Sequence, residues 1–348
     1  MNGFTVGDNF TLAVNSPPTA GTYSGDTAYV EVILSASTAP LFAGLFLSND
    51  SVGISTRAVA WTEGGTGDGY CFMALNTTDE KAMHIHNNVD LPKECGVYVN
   101  SDYCSVGSSG ALYLDNNSTI AGKTSVAGCV HENSPNSQVT GTLNEGAAQL
   151  SDPYADRESD ILSDISANTG GSPSSCDINT AGNKTEYLSP GYYKDCVFKG
   201  NGNVILAAGI YYIDSKLTVE GNVDVQGTGV TFVMMEESDL DFGNNGDLTI
   251  TAPTSGTYEG LAFVGHPNMN SSKQVVFHNS ISFDIEGALY FPNQTIELSN
   301  RATATGGCAL FVSDFVLMHN NVDIASNCQA SDDETLSLGS GADITLVE

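Results

Sequence analysis

Basic residues are scarce in this chain: 11 Lys and Arg stand against 41 Asp and Glu in 348 residues, a formal net charge of −30. Gripping a phosphate backbone takes clustered cations, so general nucleic-acid binding is excluded, and the same sign opposes docking on anionic lipid. Tryptophan occurs once. The longest uncharged apolar run, residues 39–47, falls far short of the ~20 residues that span a bilayer. Met1-Asn2-Gly3-Phe4 opens the chain with neither a basic nor an apolar leader region. There is no CxxC pair, which removes the usual zinc and dithiol signatures. P-loop, dinucleotide fingerprint, nucleophile elbow and a Ser–His–Asp set are likewise missing.

What is present points to β structure in an oxidising compartment. Hydrophobic residues make up 41%, enough for a sizeable core, and 37 glycines mark a turn-rich chain with few good helix formers. The acidic excess reads as a solvated surface. The eight cysteines, an even number, are Cys71, Cys95, Cys104, Cys129, Cys176, Cys196, Cys308 and Cys328. Disulfides are the expected use, which implies export and a leader or anchor removed from the chain as given; the alternative is a cytoplasmic protein with free thiols.

A nine-residue frame organises most of the sequence. It runs apolar, any, apolar, any, Asn or Gly, small or Asn, any, Asp/Thr/Ser/Asn, apolar or small. Copies read MHIHNNVDL from Met83, LYLDNNSTI from Leu112, CVFKGNGNV from Cys196 and LTVEGNVDV from Leu217. Others are LDFGNNGDL from Leu240, VVFHNSISF from Val275, IELSNRATA from Ile296, VLMHNNVDI from Val316 and LSLGSGADI from Leu336. Alternation puts the first and third side chains on one face of a strand. The Asn/Gly pair then bends the chain, since these residues adopt left-handed backbone cheaply. Outside the 35-residue step from Leu240 to Val275, copies from Cys196 onward start 20 to 23 residues apart. That period is too short for βαβ units and suits one coil of a parallel β-helix.

The cysteines fit the same period. Cys308 and Cys328 each lie twelve residues after the start of a frame, and Cys176 and Cys196 are 20 apart. Cys71–Cys95 and Cys104–Cys129 are separated by 24 and 25. Stacked-neighbour pairing of these four couples is therefore expected, one strand spacing of ~4.8 Å being within disulfide reach.

The predicted fold is mainly β: a right-handed parallel β-helix over 66–348, with coils of about 20–24 residues. An excursion at about 130–186 is expected to lie along the solenoid, Leu150, Tyr154, Ile161 and Ile165 lining one side of a short helix. A small strand–helix–strand module precedes it over 1–65, with strands at 29–35 and 52–61 and a helix or apolar loop at 39–47.

Several segments resemble a known family. AYVEVILSASTAPLFAGLFLSNDSVGISTRAVAW (28–61) is similar to the membrane-proximal module of TadE/TadG-like proteins of tight-adherence (Flp-type) pilus assembly. CFMALN (71–76), LSPGYY (188–193), AAGIYYIDSKLTVEGNVDVQGTGVTFV (207–233), TAPTSGTYEGLAF (251–263) and GALYFPNQTIELSN (287–300) continue the likeness in order. The resemblance implies an exported, membrane-anchored ectodomain acting as a non-catalytic, minor-pilin-like component of pilus assembly or adhesion. Its expected partners are other minor pilins, with membrane contact only through an N-terminal helix that this sequence lacks. The DxSxS metal site that some relatives carry is absent here.

The competing readings are a polysaccharide lyase or hydrolase and a glycan-binding adhesin. Such chemistry needs grouped carboxylates as acid, base or Ca²⁺ ligands. The frame's eighth position supplies Asp90, Asp224, Asp247, Asp323 and Asp343, of which Asp224 with Asp247 and Asp323 with Asp343 fall in successive coils as candidate cation ligands. Outward Asp at a bend more often bonds its own turn. One basic residue, Arg301, in the last 75 is poor provision for an anionic substrate. No cofactor and no catalytic residue are assigned. His84 and His86 share one side of a strand, while His278 and His319 sit two coils apart. A projecting loop with His266, Asn268, Met269 and Asn270 is the candidate partner contact, beside a Tyr-rich rung of Tyr187, Tyr192, Tyr193, Tyr211 and Tyr212.

Overall fold

The computed structural model describes residues 10–15, 17–25, 29–38, 52–61, 70–105, 107–325 and 345–346. Strand accounts for 54% of the chain and helix for 5%, arranged as a parallel β-solenoid with one short helix. Two compact units are present: residues 67–338, and residues 1–66 together with 339–348.

The smaller unit is an antiparallel sheet. Phe10–Asn15 pairs with Tyr29–Thr38, which pairs with Val52–Trp61, whose last two residues pair with Leu346 and Thr345. The strands expected at 29–35 and 52–61 are there, the first reaching Thr38. Phe10–Asn15 and Thr345–Leu346 are additional, so the chain's last residues join this sheet rather than the solenoid assigned to 66–348. The helix or loop expected at 39–47 lies outside the described residues. Glu31 is fully buried in this sheet and accepts hydrogen bonds from Asn15 Nδ2, Thr19 N and Oγ1, and Arg57 Nε. The Arg57 guanidinium first, then Thr19, hold its carboxyl at about 2.

Each solenoid rung presents up to three strands, one per face. The nine-residue frame is the second strand, a bend, and the third strand. At the bend the fifth and sixth residues both take left-handed backbone in the Asn87–Asn88, Asn116–Asn117, Asn244–Asn245 and Asn320–Asn321 pairs. Where the fifth position is Gly221, φ is +89° and an added Cβ would meet the Gly200 oxygen at 2.6 Å, so there is no space for Asn. The seventh position, which the sequence pattern leaves unrestricted, is interior: Val89, Ser118, Val223, Ile281, Ala302 and Val322 are all buried.

Rung order departs from chain order. Starting from one end, rungs are built by residues 174–188, 191–206, 209–228, 230–251, 261–286, 287–306 and 309–324. Residues 70–91 then stack on 309–324, followed by 96–120 and 124–139. The chain thus enters in the middle, winds to one end, crosses to the other end and winds back to its own starting rung. Residues 130–132, 138–139, 143–145 and 174–188 all pair in the solenoid, so the crossing is confined to 146–173. That corrects the excursion of 130–186: the Ser- and Asp-rich flanks hide short strands whose pairing is set by neighbouring rungs.

The crossing covers the first face. It carries the helix Glu158–Asn168, whose Ile161 and Ile165 are buried with Tyr154 against Met73, Tyr98, Tyr212, Val264 and Tyr290. Arg157 donates to the Glu259 carbonyl, Tyr290 Oη to Asp152 and Tyr212 Oη to Asp164. The first-face strands of the central rungs, Val230–Met234 and Leu261–Gly265 among them, are therefore buried on both sides. VTFVM (Val230–Met234) and LAFVG (Leu261–Gly265) accordingly read as unbroken apolar runs instead of alternating ones. Inside, aromatic rings stack from rung to rung, as in Phe232–Phe263 at 5.3 Å and Phe72–Phe311 at 4.6 Å.

Three disulfides join neighbouring rungs: Cys71–Cys95, Cys104–Cys129 and Cys176–Cys196, with Cα atoms 5.1, 5.1 and 4.3 Å apart. They are three of the four expected couples. Cys328, the expected partner of Cys308, lies outside the described residues.

Candidate functional site

The third face carries the frame's eighth residue outward, and successive rungs align these side chains in a row. The parallel register sets Asp224 beside Asp247, and Asp247 beside Ser282. A second outward row, two residues on, brings Gln226, Thr249 and Asp284 into line. Between the rows lies a cleft of about 280 Å³ lined by Asp224, Gln226, Asp247, Thr249, Ser282, Asp284 and Thr305 over Leu248. Its walls are carboxylates, hydroxyls and one amide.

Asp224 is raised from its ordinary value, by burial first and then by the charge of the adjacent Asp247. The sequence placed these two in successive coils, and the register confirms it. Asp284 was not singled out, because it falls outside the frame. Its signal is the alternation SFDIE, which turns Ser282, Asp284 and Glu286 to one side.

The other predicted residues fare differently. Asp323 aligns with Asp90, which also accepts a hydrogen bond from Thr119 Oγ1, and Asp343 lies outside the described residues. Among the described residues, no group of three or more His, Cys, Asp or Glu side chains is arranged to hold a metal ion.

The 266–273 loop does not project as a contact loop. His266 and Met269 are buried, His266 Nδ1 accepts from the Asn268 amide, and Gln294 Nε2 donates to the Met269 carbonyl. Asn268 and Asn270 alone of the four are exposed. The long interval before it is taken up by the first-face strand Leu261–Gly265 and by buried Tyr258, so the chain folds into a packed corner. In the Tyr-rich rung, Tyr211 and Tyr212 are buried, Tyr193 stacks on Tyr211, and Tyr187 is exposed.

His278 and His319, two rungs apart, each pair with a carboxylate, Asp241 and Glu297 respectively. Among the described residues no helix is long and apolar enough to cross a membrane. No family model, no curated protein and no solved structure matches the chain.

Proposed function

We propose that the protein is an extracytoplasmic, non-catalytic structural component acting in tight-adherence pilus assembly or in surface adhesion. The observation that carries the extracytoplasmic part is the set of three disulfides, each tying one rung to the next. Such bonds persist in oxidising compartments, where a protein is beyond the reach of cytoplasmic refolding. A stapled solenoid gives a long, rigid body suited to spacing and presenting contacts. Assignment to a pilus system rests on the segments resembling TadE/TadG-like proteins, and its partners would be other minor pilins. Affinity capture of the protein from its native cells tests this. Recovery of pilin-like subunits supports the reading; their absence, together with turnover of an acidic polysaccharide, assigns the protein to an enzyme class instead.

One observation favours a second reading. The cleft with Asp224, Asp247, Asp284 and flanking hydroxyls offers the acceptors and donors that hydrogen-bond sugar hydroxyls, as a glycan-binding adhesin or polysaccharide-active enzyme would. A glycan-binding screen of the wild type against Asp247→Asn separates the two: saturable binding lost in the variant supports the glycan reading.

A further inference from the structure

Four of the six histidines gather on the outer second face, three of them, His84, His86 and His319, where the rung of residues 70–91 stacks on that of 309–324. His319 and His86 are register partners across this seam, and their rings stack in parallel at 5.0 Å. His86 stacks in turn on His84 at 4.4 Å, His84 meets the edge of Tyr113 at 5.2 Å, and Tyr113 stacks on His131 at 5.0 Å. His84 Nε2 is buried without a hydrogen-bond partner, and Lys81 Nζ sits 4.3 Å from the centre of the Tyr113 ring. The seam joins coils more than two hundred residues apart in sequence, and no described disulfide crosses it.

We propose that the His84–His86 pair, stacked against His319 across the seam, is an acid-operated latch: neutral, it clamps the amino-terminal coils onto the carboxy-terminal ones, and on its protonation the second-face side of the seam is released. Charging His84 and His86 would place cations ring to ring beside Lys81. The groups facing it come from every neighbouring element. The preceding turn supplies Lys81 and Glu80, the strand Leu112–Asp115 supplies Tyr113 and Asp115, and the strand Val130–Glu132 supplies His131. Glu297 pairs with His319 at 3.1 Å, and Glu132 is engaged with the Val139 amide. Asp115 favours protonation of His84, but burial, His86 and Lys81 outweigh it and bring His84 down to about 4. His86 is lowered by burial first and then by His319. A histidine lowered in the closed form keeps its stabilisation above its ordinary value of 6.5 and loses it progressively as pH falls towards 4.

Hydrogen–deuterium exchange of the full chain at pH 7.0 and 4.5 tests the latch, with rates corrected for intrinsic pH dependence. Protection of peptides covering 83–86 and 316–319 should fall on the order of 10- to 100-fold at the lower pH, the range that lowering His84 alone allows. It should return at pH 7.0, while peptides covering 209–213 and 230–234 change little. His84→Phe combined with His86→Phe should abolish most of the loss. The milder His319→Gln should reduce it, which keeps the test decisive if the double variant does not fold. Equal protection changes at the seam and the inner rungs, or an undiminished loss in the variants, overturns the proposal.

Discussion

Asn87 donates from Nδ2 to Oδ1 of Asn320 at 3.0 Å, although 233 residues separate them. Asn320 donates likewise to Asn300, and Asn300 to Asn279, so one ladder of left-handed asparagines runs from carboxy-terminal rungs into an amino-terminal one. Each member satisfies the bend of its own rung and the side chain of the next. Asn320→Ala should lose about 1–3 kcal/mol, combining the left-handed penalty with a lost hydrogen bond, and Asn320→Gly should lose less. Urea unfolding of the three proteins measures both.

Disulfide mapping tests the stacking of rungs that are consecutive in sequence. Non-reduced peptide analysis should recover Cys71–Cys95, Cys104–Cys129 and Cys176–Cys196. Removing one pair as Cys→Ala at both ends should cost about 2–4 kcal/mol. Scrambled linkage between these couples would contradict the stacking.

The strap over the first face depends on its buried isoleucines. Ile161→Ala should destabilise by about 2–5 kcal/mol, since the side chain is fully enclosed between the helix and the sheet. Limited proteolysis should then cut first within 146–173, while the coils beneath remain intact for longer.

At the cleft, the sign of the Asp224 shift makes a directional prediction. A carboxyl raised by burial and by Asp247 contributes stability below its ordinary 3.8, which is lost as pH rises through the raised value. Asp224→Asn should therefore raise the melting temperature at pH 7 and make no difference below about pH 3.8. Thermal melts across that range decide it.

Glu31 predicts the opposite sign. Its carboxyl, lowered to about 2 by Arg57 and Thr19, stabilises the small sheet above the ordinary 4.5, and that support is lost as pH falls towards 2. Glu31→Gln should lower stability at pH 7 and converge with the wild type in strong acid, as followed by circular dichroism.

Much of the architecture was legible because the frame encodes something local. Asn–Asn bends, alternate apolar residues and cysteines one period apart each constrain a single rung and its immediate fit. Asp224 and Asp247 could be paired from spacing alone, because their two rungs are also consecutive in sequence. The order of rungs was not legible, for the same reason that the frame repeats. An Asn at the fifth position presents the same face to any neighbour, so Asn87 donates to Asn320 as readily as to a sequential partner. The His84–His86–His319 stack depends on that order and was hidden with it. The covered first face left a signal that passed unread: the unbroken apolar run LAFVG at 261–265 cannot belong to a sheet with one wet side.

The crossing of residues 146–173 also changes how the solenoid meets mechanical load. A solenoid wound in sequence order can be unwound by pulling on its last coil, one rung at a time. Here both extreme rungs are interior to the chain and tied to each other by the strap, while residues 70 and 325 belong to adjacent rungs. Tension applied between residues 70 and 325 would therefore be borne at the join between 70–91 and 309–324, leaving the two extreme rungs slack. Between those points, resistance to force would rest on one seam of asparagines, stacked imidazoles and the Phe72–Phe311 pair.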